Sequence, residues 1–429
     1  MTDSNARSRP QSSTTQPAGL RVAFLLPHGG GALGLTSEPF GGGETGPITL
    51  ARGIASQGHA VDVVIESATA VPGPRRDGLR VVVAPTRLRT LARNLDREVT
   101  LSRRFPFVRP VRPTWRTPPK LVALAATYPL RRFARSLPDW LATHPADVWV
   151  AHGVNRESAA LVAACGERTV VQLIADQDVA AGWNDPAFVS TYGEPAAACR
   201  PLFDQAAAFI AQTPRQAERL RANFGHEATV IPGPLGDEWF AGGHAPPADL
   251  PKRYALWIGR ADRFHKRPTL MLEIAQQCPA IPIVMIMNRQ DEAVDAEIRA
   301  AAPTNVTFIE RVPYDRMPSV FAGAAAFVTT GAADQEGMPN VLLQASAIGV
   351  PIVSLEAGAE YLAASRGGVV CGSTDQAAAS LQGIWDRAIP DAIDLRYAKH
   401  YVEQTYRLQR VVARHLEVFA AVARGDATA

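Results

Sequence analysis

The chain has 429 residues, of which 47% are apolar, and a formal net charge of +3. A single hydrophobic core rarely serves so long a chain, so we expect two domains. No apolar run reaches the roughly 18 residues that a membrane span needs, and we expect no membrane-spanning segment. The four cysteines, Cys165, Cys199, Cys278 and Cys371, lack the spacing of a zinc site, which predicts reduced, buried thiols in a cytoplasmic protein.

The first half of the chain begins with a βαβ pattern. Residues 1–19 are rich in Ser, Thr, Gln and Pro and predict a disordered tail without a secretory signal. Arg21–Leu26 then predicts a strand, Pro47–Gln57 a helix and Ala60–Ile65 a second strand. This order predicts a parallel sheet.

The loop between the first strand and the first helix is rich in glycine. It contains Gly29-Gly30-Gly31 and, further on, Gly41-Gly42-Gly43-Glu44. The loop is not the dinucleotide-binding fingerprint, because no G-x-G-x-x-G sequence opens the helix. Glycines do let backbone N–H groups approach a phosphate or a sugar closely. A flexible loop without a ligand is the alternative interpretation.

The segment from Arg75 to Arg135 is strongly basic. It holds 16 Lys or Arg residues and three acids, a local charge of +13, so the rest of the chain carries about −10. Five prolines between residues 106 and 119 oppose a long helix, and Leu121–Leu141 then predicts an amphipathic helix with a basic face. Such a segment could bind an anionic membrane surface from the cytoplasmic side. A solvated, arginine-rich surface is the alternative.

One histidine of the first half stands where open sheets bind ligands. Asp147–Ala151 predicts a buried strand, and His152 follows it at the carboxyl end, the edge at which α/β sheets bind their ligands. We therefore expect His152 in a site, although an ordinary structural histidine is the alternative. Thr169–Ile174 and Ala207–Ala211 predict further strands, and the role of the polar Asp176-Gln177-Asp178 stays open.

The second half repeats the alternation of strands and helices. Residues 236–252 are rich in Gly and Pro and predict a linker between a domain at 20–235 and a domain at 253–392. A long helical pattern, Leu395–Arg424, lies in a closing helical segment at 393–429. The predicted elements between are strands at Ala255–Ile258, Ile281–Met287, Asn305–Ile309, Ala325–Val328, Val350–Val353 and Gly368–Cys371, and helices at Thr269–Gln277 and Pro313–Gly323.

A single carboxylate marks the loop after the strand Ala325–Val328. Glu336 precedes a helix in whose first turn we place Pro339, and Gly349 ends that helix. Backbone N–H groups and the helix dipole favour anions at this position. An acidic hydrogen-bond acceptor beside an anion site suits a ligand with both hydroxyl groups and phosphate, such as a nucleotide sugar.

Basic residues follow the first strand of the second half. Arg260 ends that strand and Lys266 lies close behind it. Both types of side chain bind a diphosphate well, because the guanidinium offers two parallel N–H groups and the ammonium a compact charge. Together with Glu336, they predict a donor site at one edge of the second sheet.

Taken in order, these motifs make the chain resemble a known enzyme family. Gly42-Gly43-Glu44-Thr45, Asp147–Gly153, Trp257–Lys266 and Glu336–Ala345 resemble the large family of retaining GT-B glycosyltransferases that carries Glu, seven residues and Glu in its second domain. The resemblance covers nearly all of the chain after Gly19. It implies an α/β fold of two Rossmann-like domains that face a central cleft, with a C-terminal helix crossing back to the first domain.

The resemblance also implies roles for individual residues. Arg260 and Lys266 would hold the donor diphosphate and neutralise the charge of the leaving group. Glu336 would contact the hydroxyl groups of the donor sugar, and His152 would face that sugar across the cleft. The other donor-binding residues that it implies are Gly42, Gly43, Arg311 (with the backbone of 310–312 holding the base), Gly337, Met338, Pro339, Asn340 and Gln344.

The chain departs from the family at its second glutamate, which is Gln344 here. An amide oxygen still accepts a hydrogen bond, but charged acceptors form bonds about twice as strong, so we expect ribose binding to be weaker or differently organised. The resemblance implies retaining, front-face transfer. The charge of Arg75–Arg135 suggests a glycan or lipid-linked acceptor. The basic pair and the helix terminus can serve the diphosphate without a metal, and we expect no cofactor and no nucleic acid. A nucleotide-sugar-binding scaffold protein is the alternative, and an epimerase or phosphorylase on this architecture is a more remote one.

Overall fold

The computed structural model describes residues 19–35, 42–66, 72–75, 77–84, 115, 118–119, 122, 137–288, 292–333 and 335–426. The tail expected at 1–19, except its last residue, and most of the basic segment 75–135 lie outside these residues. Of the helix expected at Leu121–Leu141, the described part forms Leu137–Thr143. No helix within the described ranges combines the length and apolar character needed to cross a membrane.

The first domain is built on an eight-stranded sheet. Its order is β3-β4-β2-β1-β5-β6-β7-β8, and all neighbours are parallel except β3 and β4. The central strands are apolar and buried, as expected for a parallel sheet covered on both faces. The strands are β1 (Arg21–Leu25), β2 (Ala60–Ile65), β3 (Gly73–Pro74), β4 (Leu79–Val83), β5 (Val148–His152), β6 (Thr169–Leu173), β7 (Ala208–Ala211) and β8 (Thr229–Val230).

The first helix starts earlier than its sequence pattern predicts. It begins at Gly42, not near Pro47, so Gly42 and Gly43 belong to a helical turn and not to the preceding loop. Two later helices carry side-chain caps from Asn155 and Thr213, as is common for these residue types. The helices are α1 (Gly42–Ser56), α2 (Leu137–Thr143), α3 (Arg156–Cys165), α4 (Ala196–Cys199), α5 (Pro201–Gln205) and α6 (Pro214–Phe224).

The second domain has a six-stranded, fully parallel sheet with the order β11-β10-β9-β12-β13-β14. The strand order reverses between β9 and β12, and such a reversal opens a ligand crevice at the carboxyl ends of the strands. Both expected ligand loops, after β9 and after β12, lie at this crevice. The strands are β9 (Tyr254–Arg260), β10 (Ile283–Asn288), β11 (Val306–Ile309), β12 (Ala324–Thr329), β13 (Ile352–Ser354) and β14 (Gly368–Val370).

The helices of the second domain include three that the sequence pattern does not single out: α8, α11 and α12. Pro339 does not enter the helix after Glu336, because its extended ψ of 118° makes it the residue before the first turn, which starts at Asn340. Gly349 ends that helix in the left-handed conformation, as predicted. The helices are α7 (Pro268–Gln277), α8 (Glu292–Ala301), α9 (Met317–Gly323), α10 (Asn340–Ile348), α11 (Ala359–Ser365) and α12 (Thr374–Trp385).

The closing helical pattern is two helices, α13 (Leu395–Tyr406) and α14 (Leu408–Arg424). The break occurs where the linker crosses, because the N–H of Leu235 donates to the Tyr406 carbonyl at 2.8 Å and the Leu235 carbonyl accepts from Leu408 at 3.0 Å. Helix α13 packs in the second domain and α14 in the core of the first. The expected crossing back to the first domain is confirmed.

Candidate active site

The two domains meet at the loops that follow β6 and β12. A Cβ atom on Gly337 would lie 2.5 Å from the carbonyl oxygen of Ile174, so a residue with a side chain cannot occupy this position without moving one domain. Nearby, the hydroxyl of Tyr192 from the first domain lies 2.8 Å from Nε2 of His265 in the second. The loop that carries Glu336 therefore lies directly at the domain boundary.

Lys266 and Glu336, 70 positions apart in the chain, form an ion pair. Lys266 Nζ lies 2.5 Å from Glu336 Oε1, and the two side chains are only 20% and 13% exposed. Screening by solvent is reduced at such a pair. The structure thus places a cation and a hydrogen-bond acceptor side by side next to the start of α10, which begins four residues after Glu336.

Asp262, which the sequence analysis did not identify, organises the loop after β9. Its Oδ1 accepts from the backbone N–H groups of Phe264, His265 and Lys266 at 3.0, 2.5 and 3.2 Å, and its Oδ2 lies 2.6 Å from Arg260 Nε. Burial opposes the charge of this carboxylate, but Arg260 and the His265 N–H outweigh it and lower the Asp262 pKa. Asp262 therefore fixes both basic residues of the predicted donor site. An Asp that bonds to N–H groups just ahead of it is a local turn signal.

Arg267 ties the loop after β9 to the loop after β12. Its backbone is left-handed, with φ of 45°, and its guanidinium donates to the carbonyls of Thr330 and Gly331 at 2.7 and 3.1 Å. The Thr330 hydroxyl donates back to the Lys266 carbonyl at 2.5 Å. The two loops consequently hold Lys266 and Glu336 as one rigid unit.

Tyr192 and His265 complete the surroundings of Arg260. Burial disfavours the charge of Arg260, but Asp262 and Tyr192 outweigh this and raise the Arg260 pKa above its ordinary value. Burial, followed by the Arg260 charge, lowers the His265 pKa to about 4, so this imidazole is neutral at pH 7. Tyr192 reaches the site from a different domain, and nothing local in the sequence indicated it.

His152 lies at the end of β5, as predicted, on the first-domain side of the site. Its Nδ1 is 3.4 Å from Oε1 of Gln172, and its Nε2 is buried without a hydrogen-bond partner among the described residues. Burial lowers the His152 pKa to about 4, against opposing effects of Gln172 and the backbone of Gly43. His152 is therefore a neutral imidazole beside the first turn of α1.

The polar run after β6 is structural. Asp178 accepts from the backbone N–H groups of Val154, Ile174 and Ala175 at 3.2, 2.7 and 3.2 Å, although burial raises its pKa. It thereby joins the loop after β5, which follows His152, to the loop after β6, which meets Gly337. The first aspartate of the run, Asp176, pairs with Arg215 and Arg219 at 3.1 and 3.3 Å.

A pocket at the domain boundary holds Gln344. The Tyr314 hydroxyl accepts from Nε1 of Trp239 at 3.0 Å and bonds to Gln344, and burial raises the Tyr314 pKa to about 12. Gln344 is 7% exposed, so its side-chain amide is buried, and the Tyr314 hydroxyl is its hydrogen-bond partner. The polar residues that line the pocket are Thr45, Thr49, Asn288, Arg311, Tyr314, Asn340 and Gln344.

The other predicted donor-binding residues lie in different elements of the fold. Gly42 and Gly43 lie in the first turn of α1, and Met338 packs half-buried against the core of the second domain. Pro339 precedes α10. The four cysteines are free and buried, and no cluster of three or more His, Cys, Asp or Glu side chains in the described ranges could hold a metal ion.

Comparisons with known proteins agree with this architecture. Residues 252–386 match the sequence profile of the family described as glycosyl transferases group 1. No curated protein matches the sequence significantly. Among solved structures, sucrose-phosphate synthase from Thermosynechococcus elongatus is similar with a TM-score of 0.64 and 14% identity, covering 94% of this chain and 98% of that one.

Two further solved structures resemble the chain. HepE of Anabaena, in complex with UDP-glucose, has a TM-score of 0.63 and 14% identity, covering 94% of this chain and 100% of that one. The trehalose-6-phosphate synthase OtsA has a TM-score of 0.60 and 12% identity, covering 93% and 99%. The chain therefore has the GT-B fold, and residues 252–386 are similar to the glycosyl transferases group 1 family.

Proposed function

We propose that the protein is a retaining glycosyltransferase that moves a sugar from a nucleotide-sugar donor to a glycan or lipid-linked acceptor without a metal ion. The observation that carries this proposal is the pairing of Lys266 with Glu336 at 2.5 Å, beside an Arg260 that Asp262 holds in place. The site therefore offers two cations to a diphosphate and, next to them, a carboxylate to the hydroxyl groups of a sugar. The likeness to HepE, whose structure contains UDP-glucose, supports a donor of this class.

The leaving group is stabilised by charge. When the bond between the sugar C1 and the phosphate oxygen breaks, negative charge accumulates on the diphosphate. Arg260 and Lys266, fixed beforehand by Asp262, offset this charge without reorganising. Glu336 accepts hydrogen bonds from the sugar hydroxyl groups and orients C1.

Retention follows from attack on the face from which the diphosphate departs. The acceptor oxygen forms a bond to C1 on that face, and its proton passes to the departing phosphate oxygen. This route needs no carboxylate nucleophile. Within it Glu336 has a binding role, which its pairing with Lys266 suits.

The acceptor proposal rests on charge. The segment Arg75–Arg135 carries 16 basic residues against three acids, which suits an acceptor held at an anionic lipid surface. Co-sedimentation with vesicles that contain anionic lipid should be strong at low salt and weak at high salt. No co-sedimentation at low salt would overturn the membrane part and leave the transferase proposal in place.

A donor screen followed by a turnover assay tests the main proposal. Diphosphates of uridine, guanosine, adenosine and thymidine, and their sugars, are ranked by the rise in melting temperature that binding causes. Donor turnover is then measured for Lys266→Ala and Glu336→Ala, and we expect a loss of about 10²-fold or more for Lys266→Ala. Arg263→Ala is the matched control, because Arg263 lies in the same loop but pairs with the exposed Glu297.

The outcomes separate the enzyme from its main alternative. Unaffected turnover in both Lys266→Ala and Glu336→Ala would overturn the assignment. A nucleotide sugar that raises the melting temperature but is not turned over with any acceptor would favour the scaffold protein. Gln344 is the only change in the motif that favours this second candidate.

A further inference from the structure

A chain of buried polar groups runs from the last helix to the candidate active site. His415 on α14 is 2% exposed, and its Nδ1 lies 2.8 Å from the carbonyl oxygen of Val411. Its Nε2 lies 2.9 Å from the amide nitrogen of Gln172 on β6. The amide oxygen of Gln172 lies 3.4 Å from Nδ1 of His152. Four groups from three elements thus form a single line.

The donors and acceptors along this line favour one arrangement of protons. The Val411 carbonyl only accepts, so Nδ1 of His415 carries a proton. Burial lowers the His415 pKa to about 4, so this imidazole is neutral and its Nε2 accepts from the Gln172 amide N–H. The Gln172 oxygen then points to His152, and because His152 is also neutral, its single proton lies on Nδ1.

We propose that Gln172 and His415 are positioning residues that hold His152 in its Nδ1-protonated form, with Nε2 as an acceptor for a hydroxyl group of the donor sugar. Nε2 is buried and has no hydrogen-bond partner among the described residues, so an incoming hydroxyl satisfies it. This inference rests on the proposed function. It adds Gln172 of the first domain and His415 of the C-terminal helix to the residues that support sugar transfer.

The backbone of Gly43 competes with this arrangement. It lies against the His152 ring and favours the protonated imidazole, and a proton on Nε2 would serve it. Of the two contacts, that of Gln172 has the larger effect on the His152 pKa, and the opposite form of His152 would leave the Gln172 oxygen facing a lone pair and cost a buried hydrogen bond. The 3.4 Å separation is long for such a bond, as is common at active sites without substrate.

The first test reads the tautomers directly and needs no activity. Nitrogen-15 spectra of histidine-labelled protein at pH 7.5 distinguish Nδ1–H from Nε2–H imidazoles, and the His152→Gln and His415→Gln variants assign the signals. We expect Nδ1–H for both histidines. An Nε2–H form of His152 in the wild-type protein would overturn the proposal.

The second test compares two replacements of His415 during donor turnover. His415→Leu removes the acceptor for the Gln172 amide and frees it to rotate, whereas His415→Gln supplies another acceptor oxygen. We expect kcat/KM for the donor sugar nucleotide to fall about fivefold in His415→Leu, as for one lost hydrogen bond, and to recover in His415→Gln. An equal loss in both, with His152 unchanged in the spectra, would overturn the positioning role.

The two tests also separate this inference from the proposed function. A wild-type protein that shows the Nδ1–H form of His152 and turns over no donor would refute the transferase, and it would support only the hydrogen-bonded line that sets the tautomer of His152. Normal turnover with an Nε2–H form of His152 would support the transferase and refute the positioning.

Discussion

The two walls of the cleft use opposite electrostatics. On the second-domain side, two ion pairs lie next to each other, Lys266 with Glu336 and Arg260 with Asp262, and the neutral His265 is their neighbour. On the first-domain side, His152 and His415 are neutral because burial lowers their pKa to about 4. Charge is thus concentrated where a diphosphate would lie, and neutral donors and acceptors face it.

This difference matters because the two parts of a nucleotide-sugar donor need different partners. The diphosphate gains negative charge during transfer and is best stabilised by fixed cations. The hydroxyl groups of the sugar stay neutral, and a neutral acceptor can bind them without raising the charge of the cleft. Substitutions on the charged wall should therefore have larger effects than substitutions on the neutral wall.

Asp262→Ala should have the largest effect. It removes the acceptor of three backbone N–H groups and the partner of Arg260, so both basic residues lose their fixed positions. We expect turnover to fall about 10²-fold or more and the free energy of unfolding to fall by about 2 kcal/mol. Steady-state kinetics and denaturant unfolding measure the two effects.

Asp262→Asn is the matched control for this prediction. It keeps an oxygen for the three N–H groups but removes the charge next to Arg260, so we expect most of the stability to return and turnover to stay reduced. Equal stability of the wild type and Asp262→Ala would contradict the organising role of this carboxylate.

Gly337→Ala tests whether the two walls must approach each other. The new Cβ would lie 2.5 Å from the Ile174 carbonyl, so the domains must separate slightly. We expect turnover to fall about tenfold or more, because small displacements of catalytic groups are costly, with little change in melting temperature. Gly372→Ala is the control, since its Cβ would meet only Gln376 Oε1 at 3.5 Å. Turnover unchanged in Gly337→Ala would mean that this close approach has no catalytic use.

The sequence predicted the charged wall better than the neutral one. Glu336, Lys266 and Arg260 each follow a strand of the second domain, and position at a strand end is a local signal. His152 was predicted for the same reason. Tyr192 and His415 carry no such signal, because Tyr192 meets His265 across 73 positions and His415 meets Gln172 across 243.

The sequence also predicted most elements of the fold. Most strands were evident as apolar runs, and the helix that crosses back was expected from the family resemblance. Its break at Arg407 was not, because it depends on Leu235 bonding to Tyr406 and Leu408. A contact between segments so far apart in the chain leaves no periodic pattern in the sequence. The first turn of α1 was likewise assigned to a loop, because glycines are unusual in a helix.

Gln344→Glu tests the proposal that the pocket around Gln344 holds the ribose of the donor. The amide is buried and bonded to Tyr314, and a carboxylate there would accept stronger hydrogen bonds from ribose hydroxyls. We expect the affinity for the nucleoside diphosphate that the donor screen ranks first to rise about fivefold, as for about 1 kcal/mol, while that for its 2′-deoxy form rises less. Calorimetric titration of both nucleotides measures the ratio, and Gln344→Met serves as a control without an acceptor oxygen. An equal change for the two nucleotides would mean that this residue does not contact the ribose.

The smallest expected effect concerns the neutral wall and acid. A histidine whose pKa is 6.5 in the unfolded chain and about 4 in the folded protein binds more protons when unfolded between these values. Its contribution to stability is therefore fully present above pH 6.5 and is lost as the pH falls towards 4. His415→Gln removes one such group, so its loss of unfolding free energy between pH 7.5 and 5.5 should be smaller than that of the wild type by about 1 kcal/mol.

Denaturant unfolding at the two pH values measures this difference, and identical pH dependences would mean that His415 is protonated in the folded protein as readily as in the unfolded chain. The hydrogen-bonded line from Val411 to His152 would then lack a neutral imidazole at His415. The two walls of the cleft would differ only in the ion pairs of the second domain.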